Sequence, residues 1–167
     1  MNENGYIRKI DELGRIVIPK ELRQRLKIQE GENLIINCVD KNIKVSKFSY
    51  VVNNQNFIKK IGDAFNLVFN YNIIITDLDN VIYSNKVFRN LKLNSSLSEL
   101  IKSNDLNNYK KIKINNEITI NDNIFVEEII SASTVIGMVI IYTSEDINLL
   151  AFSKFVANVI SAHIEYI

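Results

Sequence analysis

Tryptophan is absent from the 167 residues, and cysteine, histidine and proline each occur once. Each scarcity excludes something. Cys38 has no second thiol with which to close an internal disulfide, and the apolar alternation around it predicts a buried strand position. His163 has no other His or Cys with which to share a metal ion, so a helix surface or interface is its expected place. No Gly-x-Ser-x-Gly, Walker loop or His-Glu-x-x-His appears, and we expect no enzyme: no catalytic residue, no metal and no cofactor. No apolar run approaches the roughly 20 residues that span a bilayer. The longest, Val135 to Tyr142, is strand-length. Met1-Asn2-Glu3-Asn4-Gly5 opens no signal peptide, so the expectation is a cytoplasmic protein without a membrane partner.

Net charge is also small, +1 at pH 7, yet it is unevenly spread. Residues 1–50 hold ten Lys and Arg against seven Asp and Glu, whereas residues 51–167 hold ten against twelve. In the first part Arg8, Lys9, Arg15, Lys20, Arg23, Arg25 and Lys27 crowd together. Such asymmetry points to an anionic partner at one end of the molecule.

Local patterns divide the first fifty residues into short elements. Tyr6 to Ile10 and Arg15 to Ile18 read as strands about a turn, Asp11-Glu12-Leu13-Gly14, in which glycine supplies a positive φ. Pro19 falls at the first helical position, Lys20 to Lys27 makes about two turns, and Gly31 closes them. Leu34 to Val39 and Ile43 to Val45 form a hairpin around Asp40-Lys41-Asn42. At about 100° per residue, Leu22 and Leu26 mark the buried side of the helix. Lys20, Arg23, Gln24 and Lys27 gather nearly opposite, while Glu21 and Arg25 flank them one turn apart, where they can pair. Elements this small bury too little apolar surface to be stable alone, so a second chain must complete the core. A two-fold dimer also matches the pseudo-symmetry of duplex DNA.

The stretch from Arg8 through Asp11-Glu12-Leu13-Gly14-Arg15 and Pro19 to Arg23, followed by Glu30-Gly31-Glu32, resembles the N-terminal domain of the AbrB/SpoVT family of transcription regulators. The likeness covers about the first 48 residues. It implies a swapped-hairpin β-barrel built by two chains that binds double-stranded DNA with loose sequence preference, in sporulation or transition-state control and at the nucleoid. Arg8, Arg15 and Arg23 fall where that family carries DNA-contacting arginines, and Lys9, Lys20, Gln24 and Lys27 complete the expected face. Gln24 departs from the pattern, because the family often has a second arginine there. Arg25 does not replace it, since it points about 100° further round the helix. A related branch of the fold serves as antitoxins, which makes a protein-interaction module the alternative function.

Beyond residue 50 the order of elements changes. Residues 51–55 read as a polar linker, and a sensor or oligomerisation domain over 56–167 follows. Phe57, Ile61, Ala64, Phe65 and Val68 recur at helical spacing. Strands are expected at Asn72 to Thr76, Val81 to Ser84, Lys111 to Ile114, Ile124 to Ser131 and Thr134 to Thr143, with a short helix at Leu97 to Lys102. Ser144-Glu145-Asp146 has the form of a helix start, a capping hydroxyl followed by first-turn acids. The layout resembles an α+β sensor domain of the GAF type, which makes the whole chain α+β and leaves room for an unidentified small-molecule ligand.

Two features of this half remain. Ile73 to Asp79 has the form of the first haloacid-dehalogenase motif, with Asp77 as nucleophile and Asp79 as acid, but such chemistry needs a parallel sheet. Antiparallel strands follow instead, so we read Asp77-Leu78-Asp79-Asn80 as a turn. The terminal helix carries one continuous polar stripe, Lys154, Asn158, Ser161 and Glu165, among Leu149, Leu150, Phe152, Phe155, Val156, Val159, Ile160 and Ile164. That apolar surplus suggests pairing with the same helix of another chain, which allows a tetramer; burial under the first helix of the same domain is the competing explanation.

Overall fold

The computed structural model describes residues 5–86, 91–94 and 109–165, which divide into two units, Met1–Phe48 and Ser49–Ile167. In the first unit the regular elements are helix α1 (Lys20–Arg25) and strands β1 (Leu34–Val39) and β2 (Asn42–Lys47). β1 and β2 pair antiparallel from Leu34↔Lys47 to Val39↔Asn42. Their loop is Asp40-Lys41, both at positive φ, as a two-residue primed turn requires.

Four expectations for this unit are corrected. Residues 6–10 and 15–18 form no strand; only the turn between them closes, through Gly14 N to Asp11 O and Asp11 N to Arg15 O. A strand needs a neighbour for its backbone groups, and among the described residues these segments have none. α1 starts after Pro19, which caps it, and ends six residues later. Its stop is Lys27 at φ 53, with Ile28 N bonded to Arg23 O and Lys27 N to Gln24 O, a Schellman arrangement that does not use Gly31. Cys38 is exposed, as are Leu26, Ile36, Val39 and Ile43, because their faces meet no second layer. Among the described residues, none of the buried large apolar side chains comes from this unit.

The second unit is a three-layer α+β arrangement. Among the described residues its helices are α2 (Tyr50–Asn53), α3 (Gln55–Phe69) and α4 (Leu150–Glu165). Its strands are β3 (Asn72–Thr76), β4 (Val81–Ser84), β5 (Ile112–Lys113), β6 (Thr119–Ile120), β7 (Asn123–Ser131) and β8 (Thr134–Thr143). An antiparallel sheet runs β4-β3-β8-β7, and β5 pairs with β6 separately. Alternate residues of each strand point to opposite faces. Ile73, Ile75, Phe125, Ile129, Val139 and Ile141 face the helices, where Ile58, Phe65, Val156 and Ile160 cover them. Ile74, Val126, Met138 and Ile140 face the other way, under Ile112, Ile114 and Ile120. Because both faces are covered, β8 reads as one continuous apolar run.

Several predicted boundaries move here, each for a visible reason. Within residues 51–55, Val51 to Asn53 belong to α2, Asn54 is a turn and Gln55 opens α3: Ser49 Oγ accepts from Val52 N, and Val51 is fully buried in the helix-side core. On α3 the buried positions are Ile58, Gly62 and Phe65, while Ala64 and Val68 are exposed, so the apolar stripe is rotated from the predicted one. Ser144-Glu145-Asp146 does not start a helix. Thr143 Oγ1 accepts from Glu145 N, Asn123 Nδ2 donates to Glu145 O, and α4 begins only at Leu150, whose N–H meets Asn148 Oδ1. The helix expected at Leu97 to Lys102 lies outside the described residues. The surplus on α4 is largely used within the unit: Phe152 packs edge-on to Phe69 at 4.7 Å, and His163 stacks on Phe57 at 3.7 Å. Phe155, 61% exposed, is what remains of it.

Candidate nucleic-acid interface

All seven expected interface residues, Arg8, Lys9, Arg15, Lys20, Arg23, Gln24 and Lys27, are exposed. α1 brings three of them together: Lys20, Arg23 and Gln24 stand at helical spacings of three and four, on one face. Arg23 also lies in the last turn, where the helix dipole favours a cation. Lys27 does not continue that face as a helical wheel would place it, because its left-handed backbone ends the helix. Arg8 is held locally, with Nη1 donating to Ile7 O at 3.0 Å and the guanidinium 5.9 Å from the Tyr6 ring centroid.

The charge balance of this surface is uneven. Among the described residues, Arg15 alone of the cations between positions 8 and 27 is ion-paired, with Asp11 at 2.8 Å. The expected Glu21–Arg25 pair is not formed. Lys47 and Glu32, on and beside the hairpin, pair with each other at 3.1 Å. Arg8, Lys9, Lys20, Arg23, Arg25 and Lys27 therefore have no ion-pair partner among the described residues.

Sequence reasoning missed Asp11. Its Oδ1 accepts from Leu13 N and Arg15 N, and its Oδ2 accepts from Arg15 Nε. Hydrogen bonds from Arg15, backbone first and then side chain, hold its carboxyl below the ordinary value of 3.8. The four-residue spacing across a glycine turn was the available signal.

Asp77, the residue of the dehalogenase-like phrase, is occupied by structure. Oδ1 accepts from Asp79 N at 2.8 Å and Asn80 N at 2.7 Å, and Oδ2 from Ser49 Oγ at 3.0 Å. β3 and β4 on either side run antiparallel. The carboxylate ties a turn. Among the described residues no cluster of His, Cys, Asp and Glu could hold a metal, and no helix is long and apolar enough to cross a membrane.

Residues 7–47, inside the first unit, match the family described as antidote-toxin recognition MazE, bacterial antitoxin. The chain is 37% identical over 103 residues to stage V sporulation protein T of Bacillus subtilis (strain 168), covering 60% of this chain and 57% of that protein. It is 48% identical over 48 residues to the transition state regulatory protein AbrB of the same organism, covering 29% of this chain and 50% of that protein. The chain thus spans about half the length of these two curated relatives. The first overlap is longer than the N-terminal unit, so the likeness extends into the second. Residues 7–47 are therefore a domain of the MazE/AbrB type, and the chain is homologous to stage V sporulation protein T and to AbrB.

Proposed function

We propose that this protein is a DNA-binding transcription regulator in which two chains join their first units into one swapped-hairpin barrel. The observation that carries the reading is the state of that unit alone. It presents unpaired cations while Ile7, 92% exposed, and Val17, 76% exposed, stand in water beside Ile10, Leu13 and Ile16. Apolar area of that extent in so small a unit is the surface of a missing partner. A second copy covers it and places two sets of Arg8, Lys9, Arg15, Lys20, Arg23, Gln24 and Lys27 on one duplex. Flexible cations reaching phosphates give affinity with little sequence information, so recognition is sequence-tolerant and reads duplex shape. The relatives' names support a role in sporulation or transition-state control, and a regulator held on DNA would sit at the nucleoid.

For the second unit we propose a GAF-like domain for sensing or oligomerisation. The antiparallel sheet with two long helices on one face and a small hairpin on the other supports that layout. A small-molecule ligand and a tetramer made through this unit belong to the same proposal.

A second reading has its own support, because the matched family is described by toxin recognition. Binding of the purified protein to promoter and unrelated duplexes, followed by fluorescence anisotropy, tests the first. Stoichiometric co-purification of a toxin with no duplex binding would favour the second.

A further inference from the structure

We infer that Asp11 is a positioning residue for DNA binding: it grips Arg15 by the Nε edge and presents the Nη1–Nη2 end to two side-by-side acceptors. Such acceptors on DNA are the oxygens of one phosphate or O6 and N7 of a guanine. The inference rests on the DNA-binding reading above and adds the device that orients one of its arginines.

The geometry is specific. A guanidinium offers five N–H donors in a rigid planar fork. Asp11 Oδ2 takes the Nε donor at 2.8 Å, and among the described residues no group takes the Nη donors. The Arg15 side chain is 71% exposed, so that free end faces solvent. Asp11 is itself fixed, because its Oδ1 accepts from Leu13 N at 3.0 Å and Arg15 N at 2.8 Å. Gly14, at φ 75, permits the turn that brings the two residues together. The arginine therefore surrenders little conformational freedom on binding. Bare electrostatics predicts the reverse effect, since a carboxylate beside the interface repels phosphates.

That opposition of signs gives the test. Asp11→Asn keeps a carbonyl oxygen for the two backbone N–H groups and replaces the charged acceptor that holds Nε by an amide nitrogen, which can only donate. Affinity is measured at fixed salt for the full chain on one duplex containing guanine and one made only of A·T pairs. Asp11→Asn is expected to weaken binding several-fold although it adds a positive unit to the net charge. In an Arg15→Ala background the same change should leave affinity unchanged or raise it. Arg15→Lys supplies a further check: the ammonium would be spent on Asp11, so adding Asp11→Asn should release it and tighten binding. A structural defect would weaken all three backgrounds alike, and that result overturns the proposal, as does unchanged or tighter binding by Asp11→Asn alone. Wild-type protein that binds neither duplex overturns the DNA-binding reading and this one together. A loss confined to the guanine-containing duplex assigns the acceptors to guanine; a loss on both assigns them to phosphate.

Discussion

The ring of Tyr83 on β4 occupies the space that a side chain at Gly62 on α3 would need, and its hydroxyl donates to Asp63 Oδ1 at 2.8 Å. Helix and sheet approach closely at this point, and the neighbouring hydrogen bond fixes the register of α3 on the sheet. Gly62→Ala should lower the stability of the second unit by about 1–3 kcal/mol through overpacking. The better helix propensity of alanine returns up to about 1 kcal/mol of that. Pairing the change with Tyr83→Ala opens the space again, so the two effects should be less than additive. Denaturant melts of the single and double variants read this directly, and additive effects would refute the close approach.

Lys27 combines two roles that a substitution separates. Its φ of 53 is a left-handed conformation that costs a side-chain-bearing residue about 1–2 kcal/mol relative to glycine. Lys27→Gly should therefore raise the melting temperature of the first unit. The same change deletes an exposed cation from the proposed interface. The logarithmic salt slope of DNA binding should become shallower by about 0.9 for each phosphate that the variant no longer neutralises. Higher stability with weaker, less salt-sensitive binding is the expected pair of results. A drop in stability would show that Lys27 does not hold this conformation.

Residues 1–50 should fold only as an assembly. No large apolar residue between Gly5 and Phe48 is buried in the single chain, so the fragment has no core of its own. Diluting it tenfold should lower its melting temperature, as mass action requires of a folded dimer. A concentration-independent melt from a species that sediments as a monomer would reject the shared barrel.

What was legible in the sequence follows burial. β3, β4 and β8 lie where strong apolar runs end in turn residues, and their limits match the prediction to the residue. The hairpin of β1 and β2 was legible from Asp40-Lys41-Asn42, but its loop is one residue shorter than expected and β2 runs from Asn42 to Lys47, because Asn42 pairs with Val39. Residues 51–55 misled because three of the five are polar, while one side chain, Val51, decides the local structure by entering the core. Ser144 misled for the opposite reason: a good local cap lost to Asn123, which holds Glu145 from another strand. Cys38 was assigned to a buried side by strand alternation and Leu26 by helical spacing, but either pattern tells which residues share a face, not what covers it. For the candidate interface, the sequence identified the cations and missed Asp11, whose pairing with Arg15 depends on how the Gly14 turn closes.

On the DNA-binding reading, the exposed cations of the first unit hold the duplex. A salt titration of the wild type, Arg8→Ala, Arg15→Ala, Arg23→Ala and Gln24→Arg on one promoter fragment and one unrelated duplex tests it most directly. Each alanine variant should bind more weakly to both duplexes, with a salt slope shallower by about 0.9 per phosphate left unneutralised, while Gln24→Arg should bind more tightly and steepen the slope by as much. Unchanged affinity and slope in all three alanine variants, with their folds intact, would contradict the account.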